Sequence, residues 1–435
     1  MTASAPTYSE GGIGGRSAAI AILSDVLRKR RPLDAVCETV LAAARLSARD
    51  AGFARAIAGE TLRRFGQLDA LIRHFVPKPP APHRAGATPE ILLAGACELL
   101  FLNVAPHAAV DSANALCRRD KDATHFRPLV NAVLRRIARE GQGVLATQDA
   151  ARLNTADWLW QRWCEFYGED TTRAIAGAHV SPPPLDLTVK EPGTFAGGTA
   201  LFGNSVRLSQ SVRVDTLPGF AEGHWWVQDA AASLPAHLLG DVKDAAVIDL
   251  CAAPGGKTAQ LARMGAHVTA VDLSTERMAR VRENLARLQL DAELVEADVL
   301  DFHPATPAPF VLLDAPCSAT GTIRRHPELP WIKQAADVMQ CAASARDLLD
   351  AAASMVAPGG TLVFAVCSLE AEEGPEQIEA FLDTHPEFAR KTITAPDVFG
   401  HGEFLTAAGD LRTLPCHLGA QGGMDGFYTA RLIRL

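Results

Sequence analysis

The sequence predicts a multi-domain protein: an all-α N-terminal domain, a small α+β connector, and a C-terminal α/β domain of Rossmann-like type with a doubly wound, largely parallel sheet. Three observations carry this. The chain has 435 residues, too many for one ordinary hydrophobic core. From Ser17 to about Glu140 apolar residues recur at helical spacing, and beyond residue 240 short apolar runs alternate with amphipathic helical stretches, the rhythm of β-α-β units. The expected boundaries are a flexible N-terminus over 1–16, a helical domain over 17–145, a connector over 146–240 and a catalytic α/β domain over 241–435.

In the helical part Ile20, Leu23 and Leu27, then Val36 and Val40, then Phe53, Ile57, Leu68 and Leu71 mark successive buried faces. Residues 77–89 are proline-rich and read as a linker. Thr88-Pro89-Glu90 then opens a helix in the preferred order of cap, proline and acid, and 91–102 is apolar enough to be the central helix. The connector carries Trp158, Trp160, Trp163, Phe166 and Tyr167, then Pro182-Pro183-Pro184 and short alternating segments. Its aromatics could stack on bases, but packing of an amphipathic helix is the more frequent explanation. Strands are expected over 246–251, 268–272, 292–295, 310–314 and 361–367, with helices from Lys257, Thr275 and about Gln340.

Composition excludes several classes. No run of about eighteen apolar residues is present to span a bilayer, and residues 1–15 lack a basic-then-apolar leader, so a cytoplasmic protein without membrane attachment is expected. The nine cysteines are odd in number and dispersed, which argues against a disulfide framework and a structural metal. The formal net charge of −8 hides a division: residues 1–150 hold 20 Lys+Arg against 14 Asp+Glu, leaving 22 against 36 for the rest. The clusters Arg28-Lys29-Arg30-Arg31, Arg63-Arg64, Arg118-Arg119 with Lys121, and Arg135-Arg136 either neutralise phosphates or are solvated helix ends favoured by the dipole.

The first expected strand runs into Cys251-Ala252-Ala253-Pro254-Gly255-Gly256-Lys257-Thr258, a small-residue turn that lets a ligand approach the backbone. Gly256-Lys257-Thr258 ends like a phosphate-binding loop, but the glycine that motif needs at position 251 is a cysteine. Asp272 closes the next strand where a carboxylate can accept both ribose hydroxyls, while the Gly-x-Gly-x-x-Gly of dinucleotide sites is missing. An adenosine ligand without pyrophosphate fits, and that points to S-adenosylmethionine. Asp298, after the third strand, is then a candidate adenine contact.

Cys317, in Asp314-Ala315-Pro316-Cys317, and Cys367 stand at the C-terminal ends of two successive strands, the edge where open α/β sheets do chemistry. Carbon 5 of cytosine is too weak a nucleophile to take a methyl group unaided. It becomes one when a thiolate adds to carbon 6 and a proton is held at nitrogen 3, and a base must then assist loss of the carbon 5 proton. That chemistry needs a cysteine, an acid and a positive or dipolar neighbour for the sulfur. The residues alone neither order the two cysteines nor identify that neighbour.

Asp249-x-Cys251 through Thr258, Asp314 through Gly321 followed by Arg324-Arg325-His326-Pro327, Cys367-Ser368 and Asp425-Gly426-Phe427 resemble the motifs of RNA (cytosine-5)-methyltransferases, and most closely the Sun/RsmB group acting on small-subunit ribosomal RNA. Gly59-x-x-Leu62-Arg63-Arg64 with Leu68-Asp69, Pro106 through Asp111, Leu129 through Val133, and Gln228-Asp229 extend the likeness forward and resemble the NusB-like RNA-binding domain these enzymes carry. The resemblance implies Cys367 as nucleophile, Cys317 as the group assisting product release, and Asp314 facing both cytosine and cofactor. It also implies that Cys251, Ala252, Ala253, Pro254, Gly255, Gly256, Lys257, Asp272, Asp298 and Asp314 surround S-adenosylmethionine, with no metal. The implied partner is RNA, 16S ribosomal RNA before transfer RNA, and a monomer is favoured. A non-catalytic RNA-binding protein on a methyltransferase fold is the remaining alternative. Leu185-Asp186-Leu187-Thr188 stands where the family usually shows an Arg-x-Asn run, and Val366 where threonine commonly precedes the nucleophile.

Overall fold

The computed structural model describes residues 12–80, 84–193, 195, 197–208 and 213–435. Of the tail expected over 1–16, residues 1–11 lie outside the described residues, while Ile13 already begins a helix. The described residues form two units. One holds the chain up to Ser181 together with Ile323–Gln334, and the other holds Pro182–Thr322 and Ala335–Leu435. The connector expected over 146–240 is thus no unit of its own: its helices cluster with the first unit and its strands with the second.

The first unit contains α1 (Ile13–Lys29), α2 (Leu33–Ala44), α3 (Ala48–Arg63), α4 (Phe65–Phe75), α5 (Thr88–Leu100), α6 (Pro106–Arg119), α7 (Arg127–Leu145), α8 (Ala150–Leu153), α9 (Asp157–Tyr167) and α10 (Glu169–His179). Helix α5 is buried on nearly every side, as its all-round apolar sequence demands, and it packs on α1, α3, α4, α6 and α7. Gly95 admits the Leu134 side chain, which would lie 2.8 Å from a β-carbon there. The expected threonine cap is corrected: the capping position is Ala87, whose amide donates to Asp120 at 3.2 Å, and Thr88 lies inside the helix. Asp120 also accepts from Asp122 and Ala123, so a carboxylate from the next loop replaces the local hydroxyl. In α9, Trp163 is buried and its ring lies 5.7 Å from His179, while Trp160 lies under Arg152 and Arg173. Packing accounts for Trp160 and Trp163, while Phe166 of the same helix is exposed.

Residues 323–334 complete this unit from a distant part of the chain. Trp331 donates to the carbonyl of Leu62 at 3.0 Å and lies 4.8 Å from the Phe65 ring. Glu328 accepts from the amide of Leu33 at 3.1 Å, and Arg63 donates to the carbonyl of Arg324 at 2.8 Å.

The second unit opens with a small antiparallel sheet of β1 (Leu185–Val189), β2 (Gly198–Ala200), β3 (Ser205–Leu208) and β4 (Trp225–Val227), in the order β2-β3-β1-β4. The atypical Leu185–Thr188 run is β1. Its buried Asp186 takes two hydrogen bonds of 2.7 Å from Arg207 on β3 and a third from the amide of Ala230, which joins this sheet to α11 (Ala230–His237).

The large sheet contains β5 (Ala246–Leu250), β6 (His267–Asp272), β7 (Glu293–Glu296), β8 (Ala308–Asp314), β9 (Val356–Val366), β10 (Phe388–Arg390), β11 (Leu411–Thr413) and β12 (Phe427–Arg434), with main order β10-β12-β9-β8-β5-β6-β7. Helices α12 (Gly256–Arg263), α13 (Thr275–Leu288), α14 (Leu329–Ile332, the turn within the segment above), α15 (Ala335–Met355) and α16 (Pro375–Thr384) follow the chain order. Strands β5 to β9 are parallel, while β12 runs antiparallel to β9, so the sheet is mixed. Alternate residues of one strand enter different cores: Ile248, Leu250, Val311, Leu313 and Phe364 pack with α15 and α16, and Val247, Leu312 and Val363 with α11 and α12. Both faces are covered, which is why these strands read as continuous apolar runs. No helix among the described residues is long and apolar enough to cross a membrane, and no group of three or more His, Cys, Asp or Glu side chains there is arranged to hold a metal. All nine cysteines are free thiols.

Candidate active site

The chain winds outward from β5 through β6 to β7, then returns to place β8 on the other side of β5. The crevice beyond the carboxyl ends of β5 and β8 is therefore the switch point at which open α/β sheets bind ligands. Cys251 leaves β5 in the left-handed region at φ 58°, and Gly255 follows at φ 93°, a conformation that suits glycine. Asp249 is buried, accepts from the hydroxyl of Thr258 at 2.6 Å, and its Oδ1 has no hydrogen-bond partner among the described residues. Burial pushes its carboxyl up to about 7, opposed by the Thr258 hydrogen bond. Burial likewise pushes the Cys251 thiol up to about 12.

Asp272 ends β6 and accepts from the amides of Ala253 at 3.1 Å and Ser274 at 3.0 Å. Its carboxylate therefore sits directly against the turn. Asp298 stands two residues beyond β7, accepts from the amide of Leu300 at 3.0 Å, and is half-buried. The amide of Ala297 donates to the carbonyl of Asp272 at 3.2 Å, which keeps the two loops together. Beside these carboxylates Leu273 and Leu300 are exposed apolar side chains, at 71% and 47%.

Lys257, in the first turn of α12, donates to Asp314 Oδ2 at 2.6 Å, and its ammonium lies 5.3 Å from the Phe427 ring centroid. Burial works against its charge, but Asp314, Asp249 and Cys367 together raise its pKa. Asp314 is the last residue of β8, opposite Ala365 of β9. The loops that follow these strands bring Cys317 Sγ and Cys367 Sγ to 3.4 Å. The hydrogen bond to Cys367, then burial, raise the Cys317 thiol well above its ordinary range. The crossing is fixed by backbone: Gly321 N–H donates to the carbonyl of Cys367 at 3.0 Å, and Gly426 N–H to the carbonyl of Gly321 at 2.8 Å. Asp229 accepts the amide of Asp425 at 3.1 Å, so the Gln228-Asp229 and Asp425-Gly426 motifs are joined.

Comparison with known proteins bears on the whole of this arrangement. Residues 236–433 match the family described as 16S rRNA methyltransferase RsmB/F, and residues 15–139 match the NusB family. The ribosomal RNA small subunit methyltransferase B of Pseudomonas putida is 37% identical over 89% of this chain and 91% of its own length. That of Cronobacter sakazakii is 33% identical over 96% and 98%. The chain belongs to the RsmB/F methyltransferase family. Among solved structures, PH0851 is similar over 99% of this chain and 100% of its own, with TM-score 0.74 and 21% identity, a likeness of fold. A methyltransferase homologue from Pyrococcus horikoshii covers 63% of this chain and 94% of its own, with TM-score 0.52 and 25% identity. This RsmB/F member is accordingly an S-adenosylmethionine-dependent methyltransferase with a NusB-like all-α domain and a Rossmann-like catalytic domain.

Every candidate residue of this RsmB/F chain from the turn at Cys251 to Cys367 falls at the carboxyl edge of the large sheet, with Asp298 at its β7 end. Sequence reasoning missed Ser318, Ser368 and Glu373, which surround the cysteine pair, and the exposed Leu273 and Leu300. The acidic run Glu370-Ala371-Glu372-Glu373 directly after Cys367-Ser368 was the available signal for the first group. The basic clusters separate by partner. Arg28 pairs with Glu90, Lys29 and Arg31 with Asp25, Arg63 and Arg64 with Glu60, and Arg136 with Glu140. Arg118 and Arg127 instead line an open groove of about 470 Å³ with Asp111, Asn114, Pro128 and Asn131.

Proposed function

We propose that this chain methylates carbon 5 of a cytosine in 16S ribosomal RNA through a covalent cysteine–RNA intermediate, with Cys367 as nucleophile. The observation that carries this reading is the pair of sulfurs at 3.4 Å beside the Lys257–Asp314 ion pair of 2.6 Å. The two sulfurs share a hydrogen bond at the carboxyl edge of the sheet, and Lys257 on α12 brings a buried ammonium to the same edge through its ion pair with Asp314, the kind of positive neighbour an attacking thiolate needs; the family resemblance assigns the attack to Cys367. Lys257 is the positive neighbour that the residues alone did not identify. The relatives, which are named for the small ribosomal subunit, support that RNA as the target, and such a target accords with a cytoplasmic enzyme.

The turn, Asp272 and the exposed Leu273 and Leu300 fit an adenosine ligand: a carboxylate for the ribose, apolar side chains for the base, and an unpartnered buried oxygen on Asp249 nearby. Cys251, Ala252, Ala253, Pro254, Gly255, Gly256, Lys257, Asp272, Asp298 and Asp314 are the residues proposed to hold it. S-adenosylmethionine supplies an electrophilic methyl group there. The Cys367 thiolate forms a bond to carbon 6 of cytosine, the ring's electron pair moves through carbon 5 toward nitrogen 3, nitrogen 3 takes a proton from water, and the Asp314 carboxylate, held by Lys257, accepts the hydrogen bond of that N–H. Carbon 5 then takes the methyl group. A water molecule takes the carbon 5 proton, the electron pair returns to the ring as the carbon–sulfur bond breaks, and nitrogen 3 gives up its proton, with the Cys317 thiol placed at 3.4 Å to protonate the departing sulfur. The RNA backbone is proposed to follow the groove of Arg118 and Arg127.

Substitution of each cysteine tests this. Cys367→Ser should abolish turnover while calorimetric affinity for S-adenosylmethionine stays nearly unchanged, and normal turnover would remove it as nucleophile. Cys317→Ser should accumulate a covalent protein–RNA adduct, visible as a slow band on a denaturing gel. Normal methylation without that band would end the release role.

A further inference from the structure

Glu373 is fully buried yet takes no part in the chemistry described above. A buried carboxylate is costly unless its oxygens are well supplied with donors. Here the donors are specific. Glu373 Oε1 accepts the amide of Ser318 at 2.6 Å, and Oε2 accepts the hydroxyl of Ser318 at 2.6 Å and also that of Ser368. Ser318 follows Cys317, and Ser368 follows Cys367. One carboxylate therefore ties together the residues next to both sulfurs.

The surrounding bonds extend the tie. Ser368 Oγ accepts the amide of Glu370 at 3.0 Å, and Thr320 Oγ1 accepts that of Leu369 at 3.0 Å. Arg412 holds the carbonyl of Ser368 at 2.5 Å. Glu373 itself stands on the tight turn into α16, where the amides of Gly374 and Glu376 both donate to the carbonyl of Ala371, and α16 is anchored in the core by Ile378 and Phe381. The carboxylate is thus mounted on a rigid element, while the two loops it grips follow separate strands. Burial raises its pKa against the opposing Ser318 and Ser368 hydrogen bonds.

We propose that Glu373 is a positioning residue, whose carboxylate clamps the Cys317 loop to the Cys367 loop and fixes the gap in which the cytosine ring is gripped. This rests on the two-cysteine reading above, deepens it, and can fail independently of it. The clamp acts through Ser318 and Ser368 and does not touch the reacting atoms.

The full-length enzyme tests it with two variants. Glu373→Ala should lower kcat by about 100-fold, the scale on which misplacement of roughly 1 Å acts, while KM for the RNA and calorimetric affinity for S-adenosylmethionine change by no more than about 3-fold. Glu373→Gln keeps the acceptor for the Ser318 amide but turns one acceptor into a donor, so it should restore most of that loss and stay about 10-fold below the wild type. Hydrogen exchange supplies a readout free of chemistry: the amides of Ser318, Leu369 and Glu370 should exchange at least about 10-fold faster in Glu373→Ala, with β8 and β9 unchanged. Unchanged exchange there, or faster exchange with wild-type kcat, overturns the clamp, as does a fall in cofactor affinity that matches the fall in kcat. Should Glu373→Ala fail to fold, Glu373→Gln decides: a wild-type kcat overturns the proposal, and a lowered kcat with unchanged cofactor affinity supports it. A Cys367→Ser enzyme that turned over normally would instead overturn the nucleophile and leave the exchange result standing.

Discussion

Lys257 shows what a single residue does and does not reveal in sequence. Its place in a small-residue turn at the start of a helix was legible, but its partner Asp314 stands on another strand and Cys367 lies further on still. No local pattern encodes that meeting, because strand order brings it about. The cysteine pair was legible as two residues at strand ends, and the 3.4 Å between them was not. Asp249 carries a separate consequence. Its folded pKa is raised to about 7 by burial from an ordinary 3.8, so the fold favours the neutral acid. Its contribution to stability is fully present below about pH 4 and is lost as pH rises through 7, at up to about 1.4 kcal/mol per pH unit. Asp249→Asn has no such titration. Urea midpoints for the two proteins at pH 5 and pH 7 should show the wild type losing stability relative to the variant as pH rises, and parallel curves would refute the assignment.

At the scale of elements, the strands β5, β6, β8 and β9 were readable because both faces are buried and the runs are apolar, whereas the edge strand β7 is only half-buried. The strands β10 and β11 are three residues each, too short for any period to register. The antiparallel β12 lay beyond the last expected strand and was missed; the largely parallel sheet expected is present in β5 to β9, and β10, β11 and β12 add an antiparallel edge to it. The hidden role of β12 is to carry Gly426 to the active-site crossing. A β-carbon on Gly321 would fall 2.0 Å from the carbonyl oxygen of Gly426 and 2.9 Å from that of Cys367, and backbone cannot swing aside as a flexible side chain does. Gly321→Ala should therefore cost about 2 kcal/mol or more in stability and sharply reduce turnover. Chemical denaturation and single-turnover assays of that variant check both, and a wild-type result in either would show that the crossing tolerates displacement.

For the whole molecule, the sequence suggested contiguous domains, and the structure does not keep to that order. Residues 323–334 leave the catalytic unit to lock Trp331 and Glu328 into the helical one, and nothing in their local pattern announces destinations 269 and 295 residues earlier in the chain. Charge was legible only as clusters: Glu90 reaches Arg28 once the helices are packed, while Asp25 and Glu60, which neutralise Lys29, Arg31 and Arg64, lie within six residues of them and mark local helical pairs that the clusters hid. Arg118 and Arg127 are the cations around the open groove. Replacing both with glutamine should weaken RNA binding and lower the steepness of its salt dependence by about 1–2 in the log–log slope, measured by filter binding across a salt series. An unchanged slope would place the RNA elsewhere. The most direct test of the central claim is mass-spectrometric mapping of 5-methylcytosine in ribosomal and transfer RNA from cells with and without this gene. The proposed chemistry predicts loss of a single small-subunit ribosomal site, restored by the wild-type gene and not by its Cys367→Ser form; an unchanged set of methylated cytosines, or a site restored equally by both forms, would contradict it.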